Sequence, residues 1–223
     1  MVEGLTSDWG FSCLVGDDLL FNTGEKAPLL FENMVKLGVQ PSALTAVAIS
    51  HADVYHAGGL FDLMEQSPSI RIYLHPKFPQ GFIANVRKRW GDRLTLVDSF
   101  TELSPDVYVT GPYPTREQAL VIRGKAGLIV LTGCAQPNAV DILENVQKHL
   151  AEPIDLVIGG LHLAGRVYQG MEEEAIKIIK GFRCLGVKRV GPCHCTGEEA
   201  ISLFRKAYGD DFVEVGAGFM LQV

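Results

Sequence analysis

A repeated junction constrains this chain more than any other feature. Segments sized for one strand, three of them mostly apolar, end in small residues, and a histidine or glutamine follows within a few positions. Leu44 to Ile49 leads directly to Ser50-His51, Leu128 to Leu131 to the loop with Gln136, Ile154 to Ile158 to Gly159-Gly160 and His162, and Lys188 to Val190 to Gly191-Pro192 and His194. A continuous apolar run such as Leu44 to Ile49 suits a strand buried on both faces. Helical spacing of apolar residues alternates with these runs over Lys26 to Leu37, Gly81 to Trp90, Ala139 to Leu150, Met171 to Phe182 and Glu198 to Tyr208. That alternation predicts an α/β layer fold, in which chemistry gathers where strands end and loops begin.

The start of the chain reads differently. Phe11 to Val15 and Leu19 to Phe21 flank Gly16-Asp17-Asp18 and predict a hairpin. Gly58 to Met64 reads as a further helix, and Arg71 to Leu74, Leu94 to Val97, Val107 to Val109 and Ala119 to Ile122 as further strands. The C-terminus is expected to close with two more strands. Neither a repeat nor a linker-like segment divides the 223 residues, so one domain over 1–223 is expected.

With 47% apolar residues and 21% charged ones, the chain can bury a sizeable core. A net charge of −6 argues against nucleic acid as a partner, and Arg87-Lys88-Arg89 reads as the solvated face of a helix. No apolar stretch reaches the roughly 18 residues that span a bilayer, so no membrane association is expected. Without a leader pattern at the N-terminus, and with five cysteines too sparse for a disulfide scaffold, the expected location is the cytoplasm with reduced thiols.

The six histidines divide by position. His149 lies on a helix and His75 precedes Pro76, and both read as structural. His51, His56, His162 and His194 lie in the loops after buried strands, with Asp53 between the first two. Any one of them alone would read as an ordinary loop histidine. Together they suggest a site of imidazole and carboxylate donors, which suits zinc, iron or manganese. Cys193 and Cys195 flank His194; were that segment extended, the two thiols would share one face and His194 would take the other. Thr196-Gly197 reads first as a helix cap, with Glu198 and Glu199 in the first turn, and also as a substrate contact through backbone N–H groups.

The segment Ser50-His51-Ala52-Asp53-Val54-Tyr55-His56-Ala57-Gly58-Gly59-Leu60 resembles the His-x-His-x-Asp-His loop of the metallo-β-lactamase superfamily. Leu20-Phe21-Asn22-Thr23-Gly24 is similar to that family's Phe-Asp-Thr-Gly segment, and Thr132-Gly133-Cys134-Ala135-Gln136 to its Gly-Cys-Ser-His segment. Gly159-Gly160-Leu161-His162-Leu163, His194-Cys195-Thr196-Gly197, Trp9-Gly10-Phe11-Ser12 and Glu117-Gln118 resemble one branch, related to a pterin-pathway ribofuranosylaminobenzene phosphate synthase. The resemblance spans nearly the whole chain and implies a four-layer αββα sandwich.

The departures carry as much meaning as the matches. Asp53 stands where the family has its second histidine, Tyr55 where it has the bridging aspartate, Gln136 where it has the middle-strand histidine, and Asn22 where it has the aspartate of Phe-Asp-Thr-Gly. The resemblance therefore implies at most one divalent ion (zinc, iron or manganese), or none. Its ligands would come from His51, Asp53, His56 and His194. Tyr55 and His162 are the candidates for moving or orienting a proton, and Asn22, Gln136 and Thr196 would line the pocket. Two functions follow as expectations. One is a metal-dependent hydrolase or related transferase acting on a small phosphorylated or pterin-like molecule. The other is a non-catalytic protein binding such a ligand on the same fold.

Overall fold

The computed structural model describes residues 2, 4–112, 116–136, 138–164 and 170–222. The chain forms two compact units, Met1–Asp98 with Ala217–Met220, and Ser99–Gly216 with Leu221–Val223. Each has its own sheet, helices and apolar core.

The N-terminal unit opens with the expected hairpin, β1 (Cys13–Val15) antiparallel to β2 (Leu19–Phe21). Helix α1 (Ala27–Lys36) follows, with Pro28 in its first turn, where a missing N–H costs nothing. Strands β3 (Ala46–Ala48), β4 (Arg71–Leu74) and β5 (Leu94–Leu96) then add in parallel, giving the sheet order β1-β2-β3-β4-β5. Between β3 and β4 the single expected helix is two, α2 (Val54–Ala57) and α3 (Leu60–Gln66), hinged at Gly58-Gly59; α4 (Gln80–Trp90) precedes β5. Helices and sheet share one core, in which Leu44, Val47, Ile49, Leu60, Leu63 and Ile72 are fully buried.

The C-terminal unit is a mixed sheet ordered β11-β10-β9-β8-β7-β6. Its antiparallel part comprises β6 (Thr101–Ser104), β7 (Val107–Val109), β8 (Leu120–Gly124) and β9 (Gly127–Thr132). Strands β10 (Ile154–Gly159) and β11 (Arg189–Pro192) continue in parallel with β9. Parallel neighbours need crossovers, and α5 (Ala139–Leu150) and α6 (Met171–Cys184) supply them; α7 (Glu198–Tyr208) follows β11. The apolar stripes of these three helices share a core with β8, β9 and β10 around Leu143, Phe182 and Phe204.

Three expectations need correction. Strand β6 escaped the sequence pattern because Thr101-Glu102-Leu103-Ser104 alternates rather than running apolar, as an edge strand does. The two C-terminal strands are absent among the described residues; after a 3-10 turn at Gly209–Asp211, only an isolated bridge joins Phe212 to Val190. The segment at His194 is not extended: His194–Thr196 is a 3-10 turn, with His194 itself left-handed at φ 51°.

Candidate functional site

In the N-terminal unit, three separated sequence fragments close on one another. β3 ends at Ala48 and delivers Ser50 and His51 to its C-terminal edge. Asp53 takes the N-cap position of α2, yet its carboxylate accepts no capping N–H; it lies 3.3 Å from His51 Nε2 instead. His51 and His56 face each other with ring centroids 4.3 Å apart. The loop after β2 clasps this pair. Thr23 donates to the His56 carbonyl through both its N–H (2.8 Å) and its hydroxyl (3.0 Å), and Gly58 N–H donates to Gly24 O (3.0 Å). The Trp9–Ser12 fragment joins them, with Phe11 N–H donating to Tyr55 O and Ser12 Oγ to Asn22 O. Gly58 has to be glycine here, because a Cβ would collide with the Glu25 carbonyl oxygen.

Asn22 sets the chemistry of this half. It is fully buried, left-handed at φ 62°, and bonded on both sides of its amide. Its Oδ1 accepts from Ser50 N–H at 2.8 Å, and since a backbone N–H can only donate, the amide orientation is fixed. Nδ2 therefore faces His56 Nδ1, at 3.1 Å, as the donor. A neutral His56 accepting at Nδ1 carries its proton on Nε2, so that nitrogen offers a hydrogen rather than a lone pair. An aspartate here would accept from both neighbours and reverse the tautomer. His51 is held at Nδ1 by Ser50 Oγ (2.9 Å), so its Nε2 is the atom turned toward Asp53.

His75 belongs to this machinery although the sequence reads it as structural filler. Buried after β4, it donates from Nε2 to Ser50 O (3.2 Å) and accepts from Lys77 N–H (3.2 Å), so it fixes the backbone on which His51 sits. Tyr55 lies on the exposed side of α2, edge-on to Trp9 at 6.4 Å between centroids.

In the C-terminal unit the loops after β9, β10 and β11 converge. Glu117, which sequence reading left without a role, is the organiser. Its buried carboxylate accepts from Cys134 N–H (2.9 Å), Ala135 N–H (3.0 Å) and Gln136 N–H (3.1 Å), holding a loop whose Ala135 is left-handed. Gln136 Nε2 meets His162, 2.9 Å from Nδ1 and 3.0 Å from Nε2. Thr196 is not a helix cap. Gly197 takes the N-cap position of α7, while Thr196 Oγ1 donates to Cys193 O (2.8 Å) and accepts from Leu161 N–H (3.1 Å), strapping two loops together. His194 Nε2 lies 3.5 Å from Cys134 Sγ. The hydrogen bond from Cys134, with help from His194, holds the Cys195 thiol well below the ordinary thiol range despite its burial. His149, by contrast, stacks on Phe100 away from these loops, as expected of a helix-surface residue.

Four of the non-glycine residues with positive φ, Asn22, Ala135, His162 and His194, belong to these loops. Strained backbone collects where a fold over-determines a functional arrangement. A cavity lined by Gly124, Lys125, Asp155 and Arg189 lies at the opposite, N-terminal ends of β9 and β10 and contains no imidazole or thiol.

The donors of the N-terminal unit suit one divalent ion incompletely. His51 Nε2 and the exposed Asp53 carboxylate point to a common place. His56 can join them only if its proton moves or Asn22 turns over, which would leave Ser50 N–H facing an amide NH2. Such a lost buried hydrogen bond costs about 1–3 kcal/mol.

No protein-family model matches the chain. A curated relative, the 7,8-dihydropterin-6-methyl-4-(β-D-ribofuranosyl)-aminobenzene-5′-phosphate synthase of Methanocaldococcus jannaschii, is 26% identical over 251 residues, covering 92% of this chain and 84% of that protein. Among solved structures, a metal-dependent hydrolase of the β-lactamase superfamily superposes with a TM-score of 0.81 at 29% identity, covering 100% of this chain and 94% of that one. The metallo-β-lactamase fold protein YhfI from Bacillus subtilis gives a TM-score of 0.59 at 17% identity, covering 93% and 88%, and supports the fold alone. The mixed α/β class expected from the sequence is the one observed, with two sheets and their helices. The chain thus has the fold of metallo-β-lactamase superfamily proteins and is similar in sequence to the pterin-pathway synthase and to that metal-dependent hydrolase.

Proposed function

We propose that the protein is a hydrolase-like enzyme whose altered site takes at most one divalent ion at His51 and Asp53 and acts on a small phosphorylated or pterin-like molecule. The carrying observation is the His51–Asp53 pair itself, with His51 held at Nδ1 by Ser50, whose carbonyl in turn accepts from His75. Residues kept only for packing need no such support, whereas metal-binding imidazoles are oriented through their second nitrogen. A bound ion would supply Lewis-acid polarisation of an ester or phosphoryl oxygen. The chain's own share is then plain. His56, with its proton on Nε2, offers a hydrogen there rather than a lone pair. In the C-terminal unit, Gln136 supports the ring of His162. Trp9 and Tyr55, both exposed beside the loop, offer aromatic faces to a flat ring. The relative's name, which includes a dihydropterin and a phosphate, supports that substrate class.

One observation favours a second reading, ligand binding without turnover. The Asn22 amide opposes the His56 tautomer that metal binding needs. Reconstitution with zinc, iron or manganese, followed by hydrolysis of phosphomonoesters and phosphodiesters, separates the two. The enzyme reading expects metal-dependent turnover that His51→Ala abolishes. Pterin binding by Trp9 fluorescence quenching, with no turnover under any of the three metals, would establish the second.

A further inference from the structure

Cys134, His194 and Cys195 form a second cluster, built entirely within the C-terminal unit. The two Sγ atoms and one ring nitrogen of His194 lie within 4.8 Å of one another. Both cysteines are buried and His194 is half-buried. The 3-10 turn makes this possible: an extended segment would have sent His194 and Cys195 to opposite faces, whereas the left-handed φ of His194 turns both toward Cys134. The close approach also needs Gly160, where a Cβ would stand 2.6 Å from Cys195 Sγ and 3.1 Å from His194 Cδ2.

We propose that Cys134, Cys195 and His194 Nε2 form a thiolate-rich site for a soft divalent ion of the zinc class, with one coordination position left open. Two sulfurs and an imidazole are the donors that such ions select. Bonds of about 2.0–2.3 Å to a tetrahedral ion place ligand atoms roughly 3.3–3.8 Å apart. Cys134 Sγ and His194 Nε2, at 3.5 Å, already stand at that separation, and the other two pairs lie within 4.8 Å. The supporting contacts suit a metal site. His162 N–H donates to Cys195 Sγ (3.3 Å), and Glu117 fixes the Cys134 backbone. Binding is an exchange with cations: the divalent ion enters, and each thiol that was protonated releases one proton to solvent. Three protein donors leave room for a fourth ligand. The site uses no donor from the N-terminal unit and does not depend on the proposed reaction.

The test uses the reduced full-length protein titrated anaerobically with Co2+ and Cd2+. The wild type should develop thiolate-to-metal charge-transfer absorption that saturates at one equivalent. Cys134→Ser and Cys195→Ser should each weaken it, and the double variant should lose it. His51→Ala, and Cys13→Ser with Cys184→Ser, should leave it unchanged. Because a serine variant could fail to fold, X-ray absorption on the zinc-loaded wild type provides a second reading, with two sulfurs at about 2.3 Å and a nitrogen near 2.0 Å expected. A shell of nitrogen and oxygen alone, or charge-transfer absorption that survives the double substitution in folded protein, would overturn the proposal.

Discussion

At residue 22 an amide stands where a carboxylate would make a different protein. Asn22 keeps one bond that a carboxylate would also make, from Ser50 N–H, and reverses the sense of the other, to His56 Nδ1. Asn22→Asp is isosteric and should return the His56 proton to Nδ1, freeing Nε2 as a ligand. The expected outcome is a metal affinity raised by roughly tenfold to a hundredfold, the usual scale for a group that orients a metal-binding histidine. Isothermal titration with Mn2+ measures it. His75→Ala probes the layer behind His51. It removes a donor from Ser50 O and leaves a hole in a buried position. Metal affinity should fall while His51 and Asp53 remain in place, and the loss should be smaller than that of His51→Ala in the same titration.

Elements with a clear apolar pattern were legible in the sequence, two of them to the residue. α5 and α7 match their expected bounds because each has a stripe of apolar residues and a clear stop. The Leu44–Ile49 run gave the position of β3, and with it the place where His51 emerges. Loop conformation was not legible. The bond between Asn22 and His56 joins residues 34 positions apart, and no local pattern encodes it. The turn at His194 depends on one left-handed residue without glycine's freedom. Glu117 was visible as part of a motif, but its three accepted N–H groups were not. Glu117→Ala should leave those groups buried without an acceptor and destabilise the C-terminal unit by about 3 kcal/mol. Glu117→Gln, keeping an acceptor oxygen, should cost less. Urea denaturation of the two variants provides the comparison.

On the scale of the whole molecule, each unit assembles its own set of loops around its own core. In the N-terminal unit, fragments beginning at Trp9, Leu20 and Ser50 converge, and in the C-terminal unit those at Glu117, Thr132, Gly159 and His194 do so. Both sets lie at the carboxyl ends of strands, as expected for open α/β sheets. Each core should respond to truncation of its own buried side chains. Phe182→Ala, at a fully buried position of the C-terminal core, should cost about 3–5 kcal/mol. Tryptophan fluorescence reports the N-terminal unit, where Trp9 and Trp90 both lie. The Mn2+ affinity of that unit should survive the substitution under folding conditions.

The central claim is that the N-terminal site admits one ion at His51 and Asp53, weakly, because Asn22 holds His56 in the wrong tautomer. Manganese tests it most directly, since carboxylate and imidazole suit this ion and thiolates do not. Mn2+ binding followed by electron paramagnetic resonance should saturate at no more than one equivalent in the wild type. It should vanish in His51→Ala and tighten by about ten- to a hundredfold in Asn22→Asp. Two equivalents in the wild type, or an affinity that Asn22→Asp leaves unchanged or weakens, would contradict the account.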